Sequence, residues 1–129
     1  MDTISDFLNQ IKNALAAGKS SFSTPYSKMK EEIAKILLDA KYIDNYKVIG
    51  KVPKKILRID LKYNEDGSPA IQEIKRISKP GCRRFIKSKD IKSAKSGYGR
   101  YIISTPEGLM TNVEAKKRHL GGEIICEIF

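Results

Sequence analysis

Residues 104–112 read STPEGLMTN and residues 120–126, close behind them, read LGGEIIC. The first stretch is rich in hydroxyl side chains and contains a glycine, which predicts a turn. The second stretch places two glycines directly before an apolar run, which predicts a turn that leads into a strand. A hydroxyl-rich turn and a Gly-Gly turn, with a short helix between them, predict a compact surface for a polar polyanion.

The short helix is predicted over Asn112 to Arg118. Thr111 and Glu114 form a capping-box pattern at its start. Gly121 is placed to end the helix, and the apolar run from Glu123 to Phe129 then predicts a final strand.

The net charge is +10, from 25 basic against 15 acidic side chains. The distribution is uneven, because ten basic residues lie between Lys75 and Arg100 and Asp90 is the only acid there. These ten basic residues are Lys75, Arg76, Lys79, Arg83, Arg84, Lys87, Lys89, Lys92, Lys95 and Arg100. Such density favours a polyphosphate partner, above all a nucleic acid. The alternative is a solvated basic surface without a function.

Length and composition predict a globular protein. The 129 residues suffice for one domain or two small lobes, and 40% are hydrophobic and 31% charged. No apolar run approaches the roughly 20 residues that cross a bilayer, and residues 1–4 lack the pattern of a signal peptide. We therefore expect a cytoplasmic protein. Cys82 and Cys126 do not predict a disulfide framework; we expect Cys126 to be buried and Cys82 to be inert in a turn.

The first half predicts two helices and a hairpin. A helical stripe of apolar residues begins at Ile4, with Thr3 as its expected cap and Gly18 as its stop. A second helix is predicted from Ser27 to Ala40. Apolar and charged residues then alternate over residues 57–63, which predicts a half-buried strand after a hairpin connection at residues 50–53.

The strongest break lies at residues 64–69, where the sequence is NEDGSP. We place the boundary between two lobes there, with residues 1–66 in the first and 67–129 in the second. The first lobe carries twelve basic and nine acidic residues, and the second carries thirteen and six. The second lobe predicts strands through residues 74–77, around Phe85 and over residues 98–104, with a weak helix over residues 88–95. The predicted fold class is α+β.

Several of these motifs resemble the bacterial small-subunit ribosomal protein eight family. The resemblance is carried by the motif IISTxxGxMT over residues 102–111 and the ending GGEIIC, with residues 2–14 and 75–81 in the same order along the chain. It covers essentially the whole sequence. The family usually has a second serine where this chain has Pro106, and a basic or small residue where it has Glu107.

The resemblance implies an N-terminal α-β-α-β-β lobe, with a brief strand at residues 19–24, and a C-terminal lobe of mainly antiparallel strands with short helices. It implies a primary rRNA-binding protein that binds the central domain of small-subunit rRNA, helps to assemble it and neighbours ribosomal proteins five and twelve. Some family members also repress an mRNA, including their own operon transcript. This translational repressor role is our alternative, since the same surface would serve it.

Candidate RNA contacts cluster in the second lobe. Hydroxyls both donate and accept hydrogen bonds, so Ser104 and Thr105 suit a ribose, a base edge or a phosphate. Gly108 lets the loop fold back. Three more candidates stand at the start of the last predicted strand, namely Gly121, Gly122 and Glu123. The two glycines let RNA approach the backbone, and the carboxylate accepts from base amino groups or orders the loop. The alternative is a structural turn with a capped helix.

Phe85 lies between the pair Arg83 and Arg84 and the basic Lys87. The family usually has a tyrosine here that stacks on a nucleotide, and phenylalanine keeps the stacking face. The alternative is a core phenylalanine. In the first lobe the candidates for phosphate contact are four lysines, each of which is otherwise a solvated side chain: Lys12, Lys30, Lys54 and Lys55.

A catalytic role has little support in the sequence. Ser104 and His119 would be a nucleophile and a base, but no Gly-x-Ser-x-Gly elbow is present and His119 has no evident orienting carboxylate. One histidine and two distant cysteines do not form a zinc set. We therefore expect no enzyme, no metal and no cofactor, and we keep a hydrolase that uses Ser104 as the competing class.

Overall fold

The computed structural model describes residues 3–91 and 99–129. These residues form two compact units, residues 3–71 and residues 72–129. The described residues contain three α-helices and two antiparallel sheets, which confirms the predicted α+β class. No helix among them is long and apolar enough to span a membrane.

The first unit has the element order α-β-α-β-β that the resemblance implied. The central strand of its sheet is the third one, so the sheet order is β1-β3-β2, with every pair antiparallel. The elements are α1 (Thr3–Ala16), β1 (Ser21–Pro25), α2 (Lys28–Asp39), β2 (Ile43–Ile49) and β3 (Ile56–Leu61).

The core of this unit follows from the two periodicities of the sequence. Helix α1 buries Phe7 and Ile11 at helical spacing, and α2 buries Ile33. Strand β3 buries every second residue, with Leu57 and Ile59 completely inaccessible to solvent. The alternation predicted over residues 57–63 is therefore confirmed as far as Leu61, where the strand ends.

The two helix starts differ in outcome. The Ser27 hydroxyl accepts a hydrogen bond from the Lys30 backbone N–H, which confirms the predicted start of α2. Thr3 is already part of α1, so its predicted role as the residue before the helix is wrong.

Each of the three helices ends with a residue in the left-handed conformation. Gly18 has this role after α1, as predicted, with φ of 69°. Lys41 follows α2 with φ of 65°, and His119 follows the third helix with φ of 59°. The Leu120 N–H donates to the Ala115 carbonyl at 2.9 Å, which completes this helix end. The prediction that Gly121 ends the third helix is therefore wrong.

The second unit is built around its last strand. Strand β8 pairs along one edge with β6 and along the other with β4 and β5, and β7 extends the sheet beyond β6. The elements are β4 (Ile74–Arg76), β5 (Phe85–Ile86), a 3₁₀ turn (Ser88–Asp90), β6 (Arg100–Thr105), β7 (Gly108–Thr111), α3 (Asn112–Lys117) and β8 (Gly122–Ile128).

Two sequence predictions for this unit need correction. The stretch predicted as a turn over residues 104–111 is a hairpin of β6 and β7, joined by Pro106 and Glu107. The helix predicted over residues 88–95 is one 3₁₀ turn, because Ile91 is extended and buried. Residues 92–95 of that prediction, and the predicted strand start at Tyr98, lie outside the described residues.

Candidate nucleic-acid interface

Four residues from four strands form a row across one face of the second sheet. Ser104 on β6 is directly opposite Leu109 on β7 and Glu123 on β8, and Glu123 is opposite Phe85 on β5. Directly opposite residues share a face, with Cβ atoms about 5 Å apart. Since strands lie about 4.8 Å apart, Phe85 and Ser104 are about 10 Å from each other. We call three of these four residues, Phe85, Glu123 and Ser104, the cross-strand row.

Phe85 is 70% exposed, although it is one of the largest apolar side chains of the chain. Its strand is only two residues long, and its neighbours Arg84 and Lys87 are also exposed. A core role for Phe85 is therefore wrong. An exposed aromatic face among cations is the arrangement on which nucleic-acid bases stack.

The two adjacent hydroxyls of the hairpin have different surroundings. Thr105 is 8% exposed, and its hydroxyl donates to the Gly108 carbonyl at 2.8 Å and accepts from the Glu107 N–H at 3.1 Å. The half-buried Ser104 has no hydrogen-bond partner for its hydroxyl within the described part of the chain. Thr105 therefore shapes the turn, and Ser104 is the hydroxyl available to a ligand.

The glycines of this region are required by the protein itself. A Cβ on Gly122 would lie 2.0 Å from the Ser104 carbonyl oxygen, and one on Gly121 would lie 2.5 Å from that of Ile86. Gly108 has φ of 112°, which disfavours any other residue at the hairpin turn. Close backbone packing explains the Gly-Gly pair without RNA, which the sequence did not reveal.

Glu123 has its partners within the protein. Its carboxylate accepts a short hydrogen bond from the Ser78 hydroxyl, and the Arg83 guanidinium lies 3.2 Å away. Of the two roles considered for Glu123, this geometry supports ordering of the loop. Sequence reasoning assigned no role to Ser78, although it lies in the segment 75–81 that carries part of the family resemblance. The structure shows that it is fully buried.

The four lysines of the first unit fall into two pairs. Lys30 Nζ donates to the Thr24 hydroxyl and to the Pro25 carbonyl, both at 3.1 Å. Lys55 Nζ lies 4.0 Å from the centre of the Tyr26 ring, a cation–π contact. The other two lysines, Lys12 and Lys54, have exposed side chains. Lys30 and Lys55 are therefore held by their own unit, which makes the exposed pair better placed for phosphate.

Two ionisable groups that are not members of the cross-strand row have shifted pKa values. The hydrogen bond from Tyr26 to the Glu31 carboxylate raises the pKa of the Tyr26 phenol. Burial raises the pKa of the Cys126 thiol to about 12. Cys126 is thus the buried residue that the sequence predicted, while Cys82 is exposed. Of the ten basic residues noted in the sequence, Lys92 and Lys95 lie outside the described residues.

Comparison with known families bears on the whole chain. The profile of the family described as Ribosomal protein S8 matches residues 2–129. The chain belongs to the ribosomal protein S8 family. This membership makes it a ribosomal protein, a structural rather than catalytic class, and confirms the resemblance seen in the sequence.

Relatives of this ribosomal protein S8 family member match it over nearly the full length of both chains. The small ribosomal subunit protein uS8 of Koribacter versatilis is 42% identical over 99% of this chain and 96% of its own. Those of Solibacter usitatus and Chlorobium chlorochromatii are 44% and 45% identical, over 99% of this chain and 98% and 97% of their own.

Proposed function

We propose that this ribosomal protein is a structural constituent of the small subunit that binds the central domain of its rRNA. Binding would fix the fold of that RNA early in assembly and so help later proteins to join, with ribosomal proteins five and twelve as neighbours. The proposed location is the ribosome, in the cytoplasm. Family membership supports the ribosomal role, and the cross-strand row supports the mode of binding.

The observation that carries this proposal is the alignment of Phe85, Glu123 and Ser104 on one sheet face. An aromatic ring at one end supplies stacking, and an available hydroxyl at the other end suits a ribose or base edge. Such a short platform fits unstacked bases of an irregular RNA region better than a regular A-form duplex, whose bases are stacked and whose deep groove side chains cannot read.

Charge supplies the remaining affinity. With a net charge of +10, the chain attracts RNA at long range, and phosphate contacts then add a salt-dependent term that does not depend on sequence. Arg84 and Lys87 are exposed on either side of Phe85 and are suited to such contacts. We therefore expect the preference for cognate over non-cognate RNA to come from the cross-strand row and not from the lysines.

The test uses three fragments of small-subunit rRNA, the central domain and the two regions that flank it, in filter binding at one fixed salt concentration. The proposal predicts tight binding to the central domain alone. Equal binding to all three fragments would refute it. An mRNA from the operon of the protein, added as competitor, tests the repressor alternative, which predicts displacement of the rRNA at comparable concentrations.

A further inference from the structure

Ser78 is completely buried, and its hydroxyl has two hydrogen-bond partners. It accepts a hydrogen bond from the Arg84 backbone N–H at 3.1 Å and donates one to the Glu123 carboxylate. A buried hydroxyl that both donates and accepts in this way fixes the positions of its two partners. Here the partners are the residue before Phe85 and the middle member of the cross-strand row.

Two further contacts tie the same segment to β8. The Arg83 guanidinium lies 3.2 and 3.3 Å from the two carboxylate oxygens of Glu123. The Ile124 N–H donates to the Arg84 carbonyl at 2.9 Å. Strand β5 itself contributes only two paired positions, which is too short to be stable alone. The contacts around Ser78 therefore anchor the strand that presents Phe85.

We propose that Ser78 is a positioning residue for RNA binding, which acts by holding Glu123 and the Arg84 backbone so that Phe85 faces the ligand. This inference rests on the proposed function, because it assigns Ser78 to the same RNA surface. It also gives Arg83 a different role from its neighbour. Arg83 is paired with an acid and serves the geometry, whereas Arg84 has an exposed side chain suited to phosphate.

The experiment compares Ser78→Ala with the parent on a central-domain fragment and on a scrambled duplex of equal length. The substitution removes the hydrogen bond to the charged Glu123 carboxylate, so we expect affinity for the cognate fragment to fall about tenfold. On the scrambled duplex we expect less than about a twofold change, because the phosphate contacts remain. Ser27→Ala is the matched control, since it removes the hydroxyl that caps α2 in the other unit.

A double-variant cycle separates positioning from simple destabilisation. If Ser78 acts through Phe85, Ser78→Ala has less than about a twofold effect in the Phe85→Leu background, because the two residues are coupled. Additive losses, or equal losses on both RNAs, would overturn the proposal. All affinities are measured at a temperature where circular dichroism shows each variant to be folded.

Glu123→Gln is the second variant, in case Ser78→Ala does not fold. It weakens the hold on the Ser78 hydroxyl and frees Arg83, so cognate affinity falls while affinity for the scrambled duplex rises. Its control is Glu114→Gln on α3, which changes the charge equally and breaks the 2.6 Å ion pair with Arg118, the residue directly after that helix. A cognate loss as large in the control would overturn the inference.

Failure of the inference differs from failure of the proposed function. If Phe85→Leu weakens cognate binding and Ser78→Ala does not, the positioning role is overturned and the platform stands. If Phe85→Leu and Ser104→Ala both leave cognate affinity unchanged, the platform is overturned and the role of Ser78 falls with it.

Discussion

Substitution of Gly122 by alanine tests whether the Gly-Gly pair serves the protein or the RNA. The added Cβ would lie 2.0 Å from the Ser104 carbonyl oxygen, 2.8 Å from its carbonyl carbon and 3.2 Å from the Thr105 Cα. All three atoms belong to the backbone of β6, which cannot turn aside as a side chain can. Strands β6 and β8 must therefore separate at the Ser104–Glu123 pair by about 1 Å before the contact reaches 3.0 Å.

The expected loss is at the upper end for overpacking, about 3 kcal/mol in the free energy of unfolding. For a chain of this length that corresponds to a fall in Tm of about 10 °C. Thermal unfolding followed by far-ultraviolet circular dichroism measures it without RNA present. Gly81→Ala is the matched control, because a Cβ there meets nothing within 4 Å. If Gly122→Ala melts at the same temperature as this control, close packing does not explain the glycine.

Three further predictions concern exposed and buried side chains of the second unit. Phe85→Leu should weaken cognate binding by about 1 kcal/mol or more through lost stacking, with an unchanged Tm because Phe85 is exposed; a lower Tm with full affinity would contradict this. Glu107→Lys at the hairpin tip should strengthen binding to a scrambled duplex and steepen its salt dependence by up to about one phosphate equivalent, and an unchanged slope would show that the tip lies away from RNA. A thiol reagent at pH 8 should label Cys82 alone in the folded protein, since the pKa of Cys126 is raised to about 12 and its reactive thiolate is absent there; labelling of both at equal rates would contradict this.

Local patterns predicted the first unit well because its elements follow simple periods. The stripe beginning at Ile4 predicted α1, the apolar face of residues 29–37 predicted α2, and the alternation from Leu57 predicted β3. Each of these signals lies within one element and needs no knowledge of the rest of the fold. The helix predicted over residues 88–95 failed for the opposite reason, since Ile91 is recruited into a core with Ile103 and Met110 from distant strands.

The sequence allowed the residues of the candidate site to be named, but not their arrangement on the sheet. Phe85, Ser104 and Glu123 were all named from the sequence, yet their alignment depends on the register of β5, β6 and β8, which no local pattern specifies. The separate roles of the adjacent hydroxyls depend on the tight turn that engages Thr105. Ser78 was missed because its burial is a tertiary property.

The central claim is that the cross-strand row contacts small-subunit rRNA, and photocrosslinking from position 85 tests it most directly. The protein carries a photoreactive phenylalanine analogue at that position and is assembled into small subunits. The subunits are irradiated, and the crosslinked nucleotides are mapped by reverse transcription. We predict crosslinks to one segment of rRNA in the central domain, which disappear without irradiation. Crosslinks only to protein, or only to another domain of the rRNA, would contradict the claim.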